Sequence, residues 1–193
     1  AAGQVESASD PSRYDVIWKT ASAGAHESMP LGNGDVGVNV WTDGEGSLRF
    51  YISKTDAWSE NGRLLKIGGM KVTANPPLAA VQEQRLDLGN GEYIVRCGDG
   101  DGSDSTEVRL WVDADHNAIH VTMVSQQPRT VTAAADLWRT EPTPYPLAEV
   151  SDLLEDRSKP NRLHEEVIVQ ADQVVQGLDE SVMWYHQNLD SDV

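Results

Sequence analysis

The sequence predicts an all-β protein, folded as an antiparallel β-sandwich of the supersandwich type. Short stretches of alternating apolar residues recur along the chain, and turns rich in Gly, Asn or Asp separate them about every 8–12 residues. The composition agrees, because 39% hydrophobic residues in a chain of 193 can bury one core. We expect residues 13–193 to form a single sandwich domain after a flexible lead-in over residues 1–12.

The individual strands follow from this alternation. After a glycine-rich turn, Val36, Val38 and Val40 fall on one face of a strand, and Asn90-Gly91 between two apolar runs is a strong hairpin signal. Further strands are predicted at residues 14–18, 47–52, 64–73, 84–88, 93–97, 106–112, 118–124, 130–137, 167–169 and 181–185.

One region departs from the β pattern. Residues 141–146 hold three prolines and therefore cannot pair as a central strand. The charged stretch that follows could contain a short helix near residues 150–156. We therefore expect a Pro-rich insertion, with a short helix, near residues 141–165.

Charge and composition exclude several classes of function. A formal net charge of −16 opposes binding to nucleic acid, because a protein needs Lys and Arg to replace the counterions of a phosphate backbone. No apolar run approaches the ~20 residues of a membrane helix. The single cysteine, Cys97, cannot form an internal disulfide. Six Trp residues against one Phe favour sugar handling slightly, because indole rings stack on pyranose rings.

Two polar clusters are weak candidates for chemistry. The loop from Asp99 to Asp104 offers clustered oxygens for calcium but lacks the Gly and the bidentate acid of an EF-hand. His26 and Glu27 lack the spacing of a zinc site. We expect no metal and no cofactor.

The polar and aromatic loop predicted over residues 53–62 is the best local candidate for ligand contact. Asp56, Trp58 and Asn61 would supply a carboxylate, a stacking surface and an amide to a carbohydrate. The alternative is a structural loop in which Trp58 closes one end of the sandwich.

The glycine-rich turn carries a family resemblance. Its signature residues resemble the "(L/M)PLGNGxxG" opening of the N-terminal domain of family 95 glycoside hydrolases: Pro30, Leu31, Gly32, Asn33, Gly34 and Gly37. Asp56, Trp58 and Ser59 match the Asp, Trp and Ser of the loop that follows in that family. Residues 84–88 resemble its RxLDL strand. The variant Lys-Thr-Asp-Ala-Trp-Ser is closer to an uncharacterised bacterial N-terminal domain family that is found on similar hydrolases, often in Bacteroidetes.

The resemblance implies a non-catalytic N-terminal sandwich of a secreted or periplasmic glycoside hydrolase. Its partners would be a downstream catalytic α/α barrel of the same polypeptide, which would hold the catalytic residues, and an oligo- or polysaccharide. Two alternatives stay open: an autonomous carbohydrate-binding module, and a small stand-alone enzyme that uses His26 and nearby acids.

Overall fold

The computed structural model describes residues 10–58, 64–145 and 167–187. These residues form β-strands and two short 3-10 turns, at Pro11–Tyr14 and Ala25–Glu27. The strands are β1 (Val16–Trp18), β2 (Met29–Gly32), β3 (Val36–Thr42), β4 (Leu48–Trp58), β5 (Leu64–Asn75), β6 (Val81–Asp87), β7 (Glu92–Gly98), β8 (Ser105–Val112), β9 (Ile119–Ser125), β10 (Thr130–Asp136), β11 (Thr143–Tyr145), β12 (Val167–Val169), β13 (Gln173–Val175) and β14 (Met183–Tyr185).

Two five-stranded antiparallel sheets pack face to face. The first sheet has the order β1-β6-β7-β8-β9 and the second the order β10-β5-β4-β3-β2. Two ribbons of two strands each, β11–β12 and β13–β14, follow in the chain. The predicted antiparallel sandwich is therefore confirmed.

The core lies between the sheets, because alternate residues of each central strand point inward. Val38 and Val40 on β3 and Phe50 on β4 are buried, as the sequence predicts for the two valines. They pack with residues from both sheets: Met29, Leu48, Val72, Leu86, Tyr93, Val95, Cys97, Val108 and Leu110.

A buried polar network connects the two sheets inside this core. The amide oxygen of Gln84 accepts hydrogen bonds from the hydroxyl of Tyr93 at 2.6 Å and from the backbone N–H of Thr42 at 3.0 Å. The Thr42 hydroxyl lies 2.8 Å from the Tyr93 hydroxyl, and Gln84 also contacts Ser22. Each of these polar groups has a hydrogen-bond partner, so its burial avoids the free-energy cost of an unsatisfied polar group.

Two boundaries differ from the sequence prediction. The strand expected over residues 14–18 starts only at Val16, because Tyr14 belongs to a 3-10 turn that Asp10 caps. The same turn includes residues 11 and 12, which were expected to belong to the flexible lead-in. The expected loop over 53–62 is also wrong in its first half, because β4 continues to Trp58. A bulge in its pairing with β5 lets the strand bend while Lys54 stays opposite Val36 on β3.

Other expectations fall partly outside the described residues. Residues 1–9 of the expected lead-in and the short helix expected near 150–156 are among those not described. Thr143–Tyr145 pairs only with β12, as expected of a Pro-containing segment that cannot enter a central position. None of the described residues forms a helix with the length and apolar character needed to cross a membrane.

Candidate functional site

The outer face of the first sheet carries a continuous ladder of ion pairs. Arg96 lies 2.9 Å from both Glu83 and Glu107, and Arg109 lies 2.8 Å from Glu107 and 3.1 Å from Glu92. Such a surface is well solvated and its charges are already partnered. The same face also carries the stacked rings of Trp111 and His120, whose centroids lie 4.9 Å apart.

The outer face of the second sheet carries aromatic rings as well. Trp41, Tyr51 and Trp138 form a row, with ring centroids 5.1 Å and 5.5 Å apart in edge-to-face geometry. The Lys66 ammonium lies 4.4 Å from the centroid of the Tyr51 ring. Trp138 follows β10 directly, so the chain crosses back over this face as it leaves the sheet.

The β13–β14 ribbon packs on the opposite face of β5, the one that Gly68 shares with Met70 and Val72. The Trp184 indole N–H donates to the carbonyl of Ile67 at 3.1 Å, and its ring lies against Gly68. A Cβ atom at Gly68 would lie 3.0 Å from the Trp184 ring, which is tighter than most real contacts. A larger residue at this position would therefore require the Trp184 ring to shift by a few tenths of an ångström.

A buried carboxylate fixes the ribbon to the sheet. Asp172 accepts hydrogen bonds from the Arg139 guanidinium at 2.8 Å and contacts the His186 ring at 3.0 Å. The same guanidinium donates to the carbonyls of Lys66 at 2.9 Å and of Ile67 at 3.0 Å. A charge-assisted cluster of this kind is strong and directional, so it sets the position of the ribbon.

Two clefts lie along β5, one bounded by the β13–β14 ribbon and the other by residues of β11 and β12. The Trp58 cleft has a volume of about 420 Å³, and its lining includes Lys54, Asp56, Trp58, Tyr185 and His186. The Trp138 cleft has a volume of about 450 Å³, and its lining includes Tyr51, Leu64, Trp138, Glu141 and Thr143. Leu65, Lys66 and Arg139 line both, so the two clefts adjoin along β5.

Two of the three predicted sugar-contact residues therefore share one cleft. Trp58 is 52% exposed and its indole N–H donates to the Thr55 carbonyl at 2.8 Å, which fixes the ring. Asp56 lies 2.6 Å from the Lys54 ammonium. The third predicted residue, Asn61, lies outside the described residues.

Lys54 joins this cleft to the glycine-rich turn. Its ammonium contacts Asp56 and, at 3.2 Å, Asp35, and these carboxylates raise its pKa, Asp56 most strongly. The pKa of Asp35 is lowered, first by the hydrogen bond from the Thr55 hydroxyl and then by those from Asn117 and Lys54. A smaller cleft of about 220 Å³ adjoins here, lined by the turn and by Lys54.

The turn itself is held by the side chain of Asn33. Its amide oxygen accepts from the backbone N–H groups of Asp35 at 3.0 Å and Val36 at 2.8 Å. Its amide nitrogen donates to the carbonyls of Asp113 at 2.9 Å and His116 at 3.1 Å, in the β8–β9 loop of the other sheet.

The backbone conformation of the turn explains one glycine of the signature. Gly34 has φ +94°, a conformation that disfavours any side chain. The signature residues thus lie in the β2–β3 hairpin and in the turn that hydrogen-bonds to the other sheet: Pro30, Leu31, Gly32, Asn33, Gly34 and Gly37.

The weaker candidates lie away from both clefts. His26 is exposed on the second 3-10 turn, 3.9 Å from Glu27, and lines neither cleft. The loop from Asp99 to Asp104 closes on itself through backbone bonds, and Asp104 is paired with Arg129. Within the described residues, no three His, Cys, Asp or Glu side chains are grouped for a metal ion.

Sequence reasoning missed several residues of the clefts. Lys66, Trp138, Arg139 and His186 line the clefts but belong to segments far apart in the chain. Asp172, which holds Arg139 and His186, was missed for the same reason. The one local signal was the aromatic pair Trp184 and Tyr185 within a short apolar run, which predicts a strand but not its packing partner.

Comparison with protein families gives one match. Residues 17–193 match the N-terminal family that is described as "Domain of unknown function (DUF5703)". The chain belongs to this family. The match covers both sheets from within β1 onward, so every residue that lines the two clefts lies inside the DUF5703 domain. A search of curated proteins finds no match.

The family confirms the expectation of an uncharacterised N-terminal domain.

Proposed function

We propose that this DUF5703 domain is the non-catalytic N-terminal β-sandwich of a secreted bacterial glycoside hydrolase, and that its Trp58 cleft contacts the sugar. The family 95-like signature around Asn33 supports the link to hydrolases, and the family's N-terminal character supports a position ahead of another domain. An exported location would bring the domain to extracellular polysaccharide.

The composition of the Trp58 cleft carries the proposal. Trp58 and Tyr185 are 52% and 46% exposed, so both combine an accessible ring with a polar atom. Asp56 and Lys54 stand beside them with charged hydrogen-bonding groups. An apolar ring surface with adjacent polar groups is what a pyranose ring requires, because one sugar face is C–H and the edge is hydroxyl.

The same cleft lacks the arrangement that hydrolysis needs. Glycoside hydrolysis normally uses two carboxyl groups, one on each side of the scissile bond. Among the described residues that line the Trp58 cleft, Asp56 is the one carboxylate, and it is paired with Lys54. This supports a contact role for Asp56 and a catalytic centre in the downstream barrel.

The two outer faces suggest how the barrel would pack. The ion-pair ladder centred on Glu107 makes the first sheet a solvent-facing surface. The second sheet is the better one for a catalytic partner domain, because rings beside its clefts stay accessible: Trp58 is 52% exposed and Trp138 is 44% exposed. In this arrangement the end of β4 would reach the mouth of the active site.

An autonomous carbohydrate-binding module is the second candidate. One observation favours it: the Trp58 and Tyr185 side chains of the Trp58 cleft are 52% and 46% exposed, so their rings are open to a glycan without a partner domain. A module would bind glycan with the same affinity alone or within a longer protein. A domain that lends its strand end to a barrel would bind more weakly when isolated.

The test is a titration of the chain with a panel of oligosaccharides, followed by ¹⁵N NMR of the indole N–H groups. We expect the Trp58 signal to shift with at least one saccharide, and Trp58→Ala to weaken binding about tenfold or more, as the loss of a stacking contact implies. Tyr14→Ala is the control, because Tyr14 is 68% exposed but lines neither cleft. Absence of shifts across the panel, or hydrolysis of aryl glycosides by the chain alone, would contradict the proposal.

A further inference from the structure

Lys66 differs from the other lysines of the structure. Four lysines lie in the described residues, and Lys19, Lys54 and Lys71 each lie within 4.0 Å of a carboxylate oxygen. No carboxylate of the described residues lies that close to Lys66, which contacts the Tyr51 ring instead. Of the described Lys and Arg residues, Lys66 and Arg13 are the two without a carboxylate oxygen from the described part of the chain within 4.0 Å, and Arg13 lines neither cleft.

The position of Lys66 makes this unpaired charge relevant to binding. It is exposed and lines both clefts, at the place where they adjoin. The other cations of the clefts are neutralised, Lys54 by Asp35 and Asp56 and Arg139 by Asp172. Among the described lining residues, a ligand in the clefts would therefore meet the Lys66 ammonium, which has no carboxylate partner, and the Glu141 carboxylate on the wall of the Trp138 cleft.

Lys66 is also held in place. Arg139 donates to its backbone carbonyl at 2.9 Å, and its ammonium lies 4.4 Å from the Tyr51 ring centroid. Tyr51 is itself fixed between Trp41 and Trp138. A positioned cation loses less side-chain entropy on binding an anion than a free one does.

We propose that the joined clefts bind a saccharide that carries an anionic group, a carboxylate or a sulfate ester, and that Lys66 recognises this group. This inference rests on the proposed function, because the aromatic rings of the same clefts would hold the sugar itself. An ammonium is a compact point charge and pairs with either anion. Distant acids do not prevent this, because charges more than about 8 Å away are screened at physiological ionic strength. The anionic group must bind clear of Glu141, which lines the Trp138 cleft together with Lys66.

The test compares matched acidic and neutral ligands. The chain is titrated with oligomers of galacturonate, glucuronate and mannuronate, with their carboxyl-reduced counterparts, and with a sulfated and an unsulfated galactan oligomer. We expect at least one acidic oligomer to bind about tenfold more tightly than its neutral counterpart, the difference of one charge-assisted hydrogen bond. The uronate and sulfate arms show which anion is preferred.

Variants of Lys66 separate charge from packing. Lys66→Met keeps the aliphatic stem on Tyr51 and should abolish the preference for the acidic oligomer, whereas Lys66→Arg should keep it. Lys71→Met is the control, because Lys71 lies on the same strand but lines neither cleft.

Three outcomes decide the matter. Equal binding of acidic and neutral oligomers would overturn the role of Lys66 and leave the proposed function standing. A preference that survives Lys66→Met would also overturn it. Binding of no oligomer at all would overturn both proposals.

Discussion

Removal of one buried hydroxyl, in the variant Tyr93→Phe, tests how the two sheets are joined. Tyr93 is 0% exposed, and its hydroxyl donates to Gln84 at 2.6 Å. A phenol has one hydrogen, so the Thr42 hydroxyl must be the donor in its 2.8 Å contact with Tyr93. The substitution therefore deletes two hydrogen bonds, one between β7 and β6 of the first sheet and one between β7 and β3 of the second.

The expected loss follows from which partners stay paired. Gln84 keeps the N–H of Thr42 as a donor to its amide oxygen, at 3.0 Å. The Thr42 hydroxyl, 0% exposed, loses its acceptor and is left buried without one. A buried unsatisfied group costs about 1–3 kcal/mol, so the free energy of unfolding should fall by about 2–3 kcal/mol. The melting temperature should then fall by about 4–12 °C.

The assay is urea unfolding monitored by tryptophan fluorescence. Tyr185→Phe is a close control, because the Tyr185 hydroxyl also lies 2.6 Å from a glutamine amide oxygen, that of Gln173, but at an exposed site. Water replaces that bond, so the control should lose no more than about 0.5 kcal/mol. Equal losses in the two variants would refute the reasoning that burial sets the cost.

Three further predictions concern the turn, one loop and the core. Asn33→Ala removes four hydrogen bonds and should lower the free energy of unfolding by about 2–3 kcal/mol. The backbone amide of Val36 should also exchange its hydrogen faster, and an unchanged exchange rate would contradict this prediction. The pKa of Asp113 is lowered to about 2, chiefly by the hydrogen bond from the backbone N–H of Asp115. The stabilisation that the Asp113 carboxylate provides should therefore be present above the unfolded pKa of about 3.9 and be lost as the pH falls toward 2. A ¹³C NMR titration of this carboxyl group checks the prediction. Burial raises the pKa of Cys97 to about 11, so a thiol reagent at pH 8 should label Cys97 only after unfolding; prompt labelling of the folded protein would show access that the structure does not.

The prediction of the sheets succeeded because its signals are local. Val36, Val38 and Val40 alternate at the strand period, and that period alone places them on one face. The extension of β4 to Trp58 was missed because polar residues such as Lys54 carry no such alternation. Its pairing with Val36 comes from the neighbouring strand, not from its own sequence.

The residues of the candidate site also divide into those that the sequence could identify and those that it could not. Asp56 and Trp58 could be nominated from the sequence because they lie two residues apart, next to an aromatic-rich turn. Lys66, Asp172 and His186 could not, because their roles depend on contacts across many residues of chain. No periodicity encodes which segment will cover a given sheet face.

The sequence by itself thus determined the all-β class, the inward faces of the central strands and the glycine-rich turn before β3, since each depends on neighbouring residues. The tertiary structure alone decided which outer face carries the ladder of ion pairs. It also decided that Trp184 packs against Gly68 and that the two clefts adjoin at Lys66. These contacts form only when burial and hydrogen bonding over the whole chain outweigh the entropy of bringing distant segments together.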